Sequence, residues 1–133
     1  MGGGSRHHAS LYQSDISGYC TCEMAVQKHL DAGIPMNKMV LGMPFYSHGI
    51  EGFETVKPAD IEKKGLVECW DTKACVPYLM NKEGTVVTTY DNELSVMIKC
   101  KYIKQMGMLG GMYWRYDADK HEMSKVLAKE LMR

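Results

Sequence analysis

Hydrophobic residues along this chain fall alternately at helical spacing and in short unbroken runs. Thr21 can cap a helix in which Met24, Ala25 and Val26 lead into Leu30, and Gly33 followed by Pro35 ends it. The run Met39-Val40-Leu41-Gly42-Met43-Pro44-Phe45-Tyr46 is apolar without alternation, the pattern of a strand covered on both faces, and Pro44 should mark its end. Asn92 then caps a second helix, with Val96, Cys100 and Ile103 at helical spacing and Gly107 as the stop beyond Met106. It leads into Met108-Leu109-Gly110-Gly111-Met112-Tyr113-Trp114, a second buried strand whose glycines permit close backbone approach. Asp119-Lys120-His121-Glu122 has the form of a capping box with Asp in the capping place. Met123, Val126, Leu127 and Leu131 supply the apolar face of a last helix.

Helix, buried strand, helix, buried strand, helix is the grammar of a parallel α/β architecture. Between residues 47 and 91 the pattern turns polar and mixed. Lys57 to Gly65 predicts a short helix, and Val67 to Trp70, Val76 to Met80 and Thr85 to Thr89 predict short strands. Asn81-Lys82-Glu83-Gly84 is a hairpin turn in which Gly84 can take positive φ. Residues 48–90 thus read as a small α+β insertion within one domain spanning 1–133.

Composition narrows the function. The 133 residues amount to one domain, and sixteen Lys plus Arg balance sixteen Asp plus Glu. Neutrality removes the basic field of a nucleic-acid binder and any strong draw toward anionic lipid, so neither nucleic acid nor membrane is an expected partner. No apolar run approaches the roughly 20 residues that span a bilayer. The start, Met1-Gly2-Gly3-Gly4-Ser5, is too short and polar for a signal peptide. The five cysteines, at 20, 22, 69, 75 and 100, cannot all pair, and their spacing matches no disulfide scaffold, so reduced thiols are expected. Twelve methionines read as fillers of irregular core gaps.

The order of the motifs resembles a known family. Lys38 to Tyr46 is similar to the seventh-strand signature of glycoside hydrolase family 18, the family of the chitinases. Leu109-Gly110-Gly111-Met112-Tyr113-Trp114, with Asp117 and Asp119 after it, resembles the eighth-strand signature, in which a tryptophan closes the sugar pocket. His7-His8-Ala9-Ser10-Leu11-Tyr12 resembles the loop after the sixth strand, and Tyr90-Asp91-Asn92 the approach to the seventh helix. Trp70-Asp71 with Pro77-Tyr78-Leu79 resembles the family's insertion, so the likeness covers nearly the whole chain.

The resemblance implies a (β/α)8 barrel, a fold of about 250 residues with its active site at the carboxyl ends of the strands, of which this chain supplies the last two strands and their helices. It also implies hydrolysis of β-1,4-linked N-acetylglucosamine polymers by substrate assistance, the sugar's acetamido oxygen attacking the anomeric carbon. The family's acid lies in D-x-x-D-x-D-x-E on the fourth strand, a string that occurs nowhere in these residues. No catalytic residue is therefore assigned, and the chain alone is expected to be inactive.

The substrate-binding residues implied are Trp114, Tyr46, Trp70 and Asp71. Trp114, ending a barrel strand, can offer its flat face to a pyranose ring, the alternative being core packing. Tyr46 can donate a hydroxyl to sugar or sit half-buried on backbone. Trp70 and Asp71 either wall the cleft or belong to the insertion's own small core. Asp119 is explained by helix capping. Neither His7-His8 nor Cys20-Thr21-Cys22 has a zinc spacing, so no metal and no cofactor is expected. Ser47-His48 replaces a usual Gly-Arg, and Arg115 stands where an acidic residue often follows the tryptophan, which alters the charge beside the cleft. The expected partner is an N-acetylglucosamine oligosaccharide or chitin-like glycan. Two further readings stand beside the hydrolase: a non-catalytic chitin lectin, and self-association through open strand edges.

Overall fold

The computed structural model describes residues 6–18, 20–44, 58–114 and 122–131. After an irregular segment over 6–18 comes helix α1, Cys22–Asp31, then a short 3-10 turn, Met36–Lys38, and strand β1, Val40–Pro44. Helix α2 (Pro58–Lys63) and strands β2 (Val67–Asp71), β3 (Val76–Met80) and β4 (Val86–Thr89) follow. The chain continues through α3 (Glu93–Met106), β5 (Gly110–Trp114) and α4 (Glu122–Leu131).

Each helix boundary has a local cause. Thr21 Oγ1 accepts from the N–H of Met24, 3.2 Å away, and opens α1. Asn92 and Ser95 exchange reciprocal hydrogen bonds of 2.9 Å, a full capping box at the start of α3. Gly107 ends α3 in the left-handed region, φ 71°, where only glycine sits without strain. In the hairpin between β3 and β4, Asn81 Oδ1 accepts from the N–H groups of Glu83 and Thr85 at 3.1 and 2.9 Å.

Two sheets result. β1 and β5 pair in parallel, while β2, β3 and β4 form an antiparallel sheet in chain order, with a register shift at Leu79/Met80. The parallel connection from β1 to β5 carries the antiparallel sheet and α3 within it. Helices α3 and α4 pack on each other and on β5. Leu41 and Met43 of β1 enter one core with Val26, Val96, Cys100, Ile103 and Leu127, and a smaller core gathers Leu79, Val87 and Tyr90. Gly111 is required there: a Cβ on it would lie 3.2 Å from methyl carbons of Ile103, Leu127 and Leu131.

Two features of the strands differ from the pattern's reading. Both are shorter than their apolar runs, because Met39 and Met108-Leu109 form the approach rather than the ladder. Nor, among the described residues, is the parallel pair covered on both faces. Helices cover the face that carries Leu41 and Met43, whereas Val40 and Met112 on the other are 43% and 50% exposed. An unbroken apolar run reports a strand meant to be enclosed; it does not report which residues enclose it.

Candidate functional site

Parallel pairing puts the carboxyl ends of β1 and β5 on one edge, and the register sets Pro44 opposite Trp114. Trp114 is therefore the last residue of its strand, level with the end of the neighbouring one. Tyr46, two positions beyond Pro44, lies outside the described residues, as do Ser47, His48, Arg115, Asp117 and Asp119. Trp70 and Asp71 end β2 in the other sheet, Trp70 facing Pro77 in the register and Asp71 facing Val76. Successive strand residues point to opposite faces, so the two side chains have different surroundings.

Trp70 is half-buried. Asp71 is hydrogen-bonded on both oxygens. Its Oδ2 accepts from Ser14 Oγ at 2.5 Å and His7 Nε2 at 3.1 Å, and its Oδ1 from the N–H groups of Lys73 and Ala74 at 3.1 and 3.0 Å. Burial alone would raise its pKa, but the donors, Ser14 foremost, outweigh burial and hold the carboxyl below its ordinary value. Bonded to an ionised carboxylate, His7 must carry its proton on Nε2. Among the described residues its buried Nδ1 has no hydrogen-bond partner, and the ring meets Tyr78 edge-on at 5.9 Å. Burial pushes the His7 pKa down against the opposing pull of Asp71.

A second anchor holds the same segment. Lys99, fully buried in α3, donates from Nζ to Asp91 Oδ2 at 2.8 Å and to the carbonyl of Ala9 at 2.6 Å. Ser95 Oγ donates to Asp91 Oδ1 at 2.6 Å, so Asp91 is doubly satisfied. The Ala74 carbonyl accepts from the N–H of Leu11 at 3.1 Å, and Thr89 Oγ1 donates to the carbonyl of Arg6 at 3.3 Å. The Tyr90 hydroxyl donates to Glu68, joining β2 to the entrance of α3. Burial, first, and that bond hold its phenol well above the ordinary range. Together these contacts fix the loop over 6–18 against the antiparallel sheet and α3. Neither the role of Lys99 nor the His7–Asp71 contact is announced by a sequence motif. Ser95 and Lys99 lie four apart on one face of α3, with Asp91 just ahead of its Asn92 cap, and that spacing was the available signal.

Beside β1 lies a groove of about 640 Å³, bordered by Ala25 and Val26 of α1 and by Val40, Gly42 and Met108. Cys22 also borders it, its thiol pKa raised by burial, and the five cysteines are free thiols.

Comparison with known proteins gives one family. The model of glycosyl hydrolases family 18 matches residues 3–119. The chain is similar to chitinase A1 of Niallia circulans, 32% identical over 123 residues, covering 72% of this chain and 18% of that protein. It spans a third or less of the curated relatives it matches. Among solved structures, a family 18 N-acetylglucosaminidase from Paenibacillus barengoltzii superposes with a TM-score of 0.79 at 27% identity, over 96% of this chain and 44% of that one. A chitinase-like agglutinin from Robinia pseudoacacia shares the fold, with a TM-score of 0.72 at 23% identity over 95% of this chain and 41% of that one.

Proposed function

Because this chain belongs to glycosyl hydrolases family 18, and its two parallel strands are part of that family's TIM barrel, we propose that it forms the sugar-facing carboxyl-terminal wall of a chitinase-like hydrolase. The complete protein would cleave β-1,4 links between N-acetylglucosamine units by the substrate-assisted retaining route. The observation that supports this reading is the register Pro44–Trp114, which brings the ends of both strands to the edge where barrel enzymes bind substrate.

In this reading Trp114 stacks on the apolar side of a pyranose ring and Tyr46 adds a hydroxyl at the neighbouring strand end. Trp70 and Asp71 belong to the insertion's side of the cleft, with Asp71 acting through the loop it fastens. The glycosidic oxygen must receive its proton from the fourth-strand acid, whose motif is absent from these 133 residues. The chain alone therefore binds and orients but does not cleave.

The test is calorimetric titration of the purified chain with chitotetraose, beside turnover of a chromogenic chitobioside. Burying one aromatic face stabilises by about 1.5–3 kcal/mol, so Trp114→Ala should weaken binding about 10- to 100-fold. Hydrolysis by the isolated chain, or binding indifferent to Trp114→Ala, would refute the reading. The likeness to the Robinia agglutinin favours a second reading, a non-catalytic glycan binder. The two separate on the complete protein, where a binder retains affinity and shows no turnover.

A further inference from the structure

Residues 7–17 close on themselves. The N–H of His7 donates to the carbonyl of Ile16 at 3.0 Å and His7 bridges Ser17, so the two ends of the segment meet, as in an Ω-loop. Four of its hydrogen bonds reach the turn after β2. His7 Nε2 and Ser14 Oγ donate to Asp71 Oδ2, and the N–H groups of Leu11 and Tyr12 donate to the carbonyl of Ala74 at 3.1 and 3.4 Å. Asp71 Oδ1 meanwhile accepts from the N–H groups of Lys73 and Ala74 and shapes that same turn. One carboxylate therefore holds the loop with one oxygen and the turn with the other.

Of the groups in this clasp, His7 is the one that can change state between pH 7 and pH 5. It is 3% exposed, and with the Nε2 proton given to Asp71 its Nδ1 keeps a bare lone pair. A second proton there creates a donor. Among the described residues nothing accepts from that position, and the crevice beside the ring, bordered by Ser10, Val76 and Tyr90, has no room for a water molecule. An unmet donor on a charged buried ring is costly, and the cost vanishes once the loop opens to solvent.

The surroundings decide the sign. Asp71 faces the ring from β2, Tyr78 meets it edge-on from β3, and Asp91 and Lys99 act on it from the entrance and body of α3. Within the loop, Arg6 is turned to the carbonyls of Asp15 and Ser17, and His8 to Thr89 Oγ1. Asp91 and Lys99 are paired with each other and pull on the ring in opposite senses, so Asp71 is the charge that favours the imidazolium. Burial outweighs that attraction, and the closed clasp resists a proton that the opened loop accepts near pH 6.5.

We propose that His7, Ser14 and Asp71 form an acid-released clasp, in which uptake of one proton at His7 Nδ1 frees the loop over 7–17 from the turn after β2 while α3 stays folded. The clasp is built from residues of this chain and does not rest on the family reading above.

The experiment follows amide hydrogen exchange of the full chain by NMR from pH 7 to pH 5, corrected for the intrinsic pH dependence of exchange. One linked proton raises opening by at most about tenfold per pH unit, so Leu11, Tyr12, Lys73 and Ala74 should lose at least about threefold in protection between pH 6.5 and 5.5. Cys100 and Ile103 in α3 should keep theirs. His7→Gln, whose amide can still donate to Asp71 but takes up no proton, keeps the neutral-pH protection and loses the acid response. His8→Gln keeps both. The titration of the His7 imidazole in the unmodified chain reads the same event with no substitution, and its midpoint falls below 6.5. A midpoint at or above 6.5, or an acid response that survives His7→Gln or disappears in His8→Gln, overturns the proposal. So does an equal loss of protection in α3, which would mean global unfolding in place of local release.

Discussion

Lys99→Met deletes an ammonium from a site with no access to water and leaves the stem's apolar volume in place. Lys99 is 0% exposed and Asp91 5%, so the remaining carboxylate stays buried with Ser95 as its side-chain donor, and the Ala9 carbonyl loses its 2.6 Å partner. Breaking a buried pair from one side costs about 3–5 kcal/mol, mostly the penalty of the uncompensated charge. Domains hold only about 5–15 kcal/mol in total, so this single change should remove a large part of the stability. Adding Asp91→Asn removes the stranded charge, and the double variant should recover at least about half of the loss, a non-additivity expected of groups in direct contact. Urea denaturation of the wild type, both single variants and the double variant supplies the four free energies. A Lys99→Met cost below about 1 kcal/mol, or strict additivity in the cycle, would refute the claim that a desolvated ion pair anchors the loop over 6–18.

Other expectations follow from the packing and from His7. Because burial holds the folded His7 pKa below 6.5, its contribution is complete above pH 6.5 and is lost as pH falls from there through the folded value. The thermal midpoint should therefore drop between pH 7 and pH 5, and a His7→Gln variant should show a flatter profile; equal slopes would exclude His7 as the source. Gly111→Ala places a methyl 3.2 Å from three others and should cost about 1–3 kcal/mol in chemical denaturation. Gly110→Ala meets nothing within 4 Å and should stay within about 0.5 kcal/mol, so equal effects at the two positions would show that the crowding is relieved.

Features governed by neighbouring residues were legible in the sequence. Thr21, Asn92 and Gly107 act through hydrogen bonds or backbone angles within a turn of themselves, and Asn81 organises its hairpin over four residues. The parallel pair was legible because two apolar runs, each preceded by a helix, have few arrangements open to them. The open face was not, since hydrophobicity records a demand for cover and not its source. The anchors of the early loop were hidden for another reason: His7 meets Asp71 across 64 positions and Ala9 meets Lys99 across 90, separations over which no periodicity speaks. Of the expected sugar contacts, Trp114 and Trp70 fall at strand ends and Tyr46 outside the described residues, while Asp71 is hydrogen-bonded in ways a motif cannot announce.

Those long separations also set an order of events at the ribosome. At about 5–20 residues per second, Ala9 is synthesised some 5–18 seconds before Lys99. Throughout that interval the nascent segment over 6–18 lacks its Lys99 latch, and its full set of anchors is in place only once α3 has cleared the exit tunnel and folded.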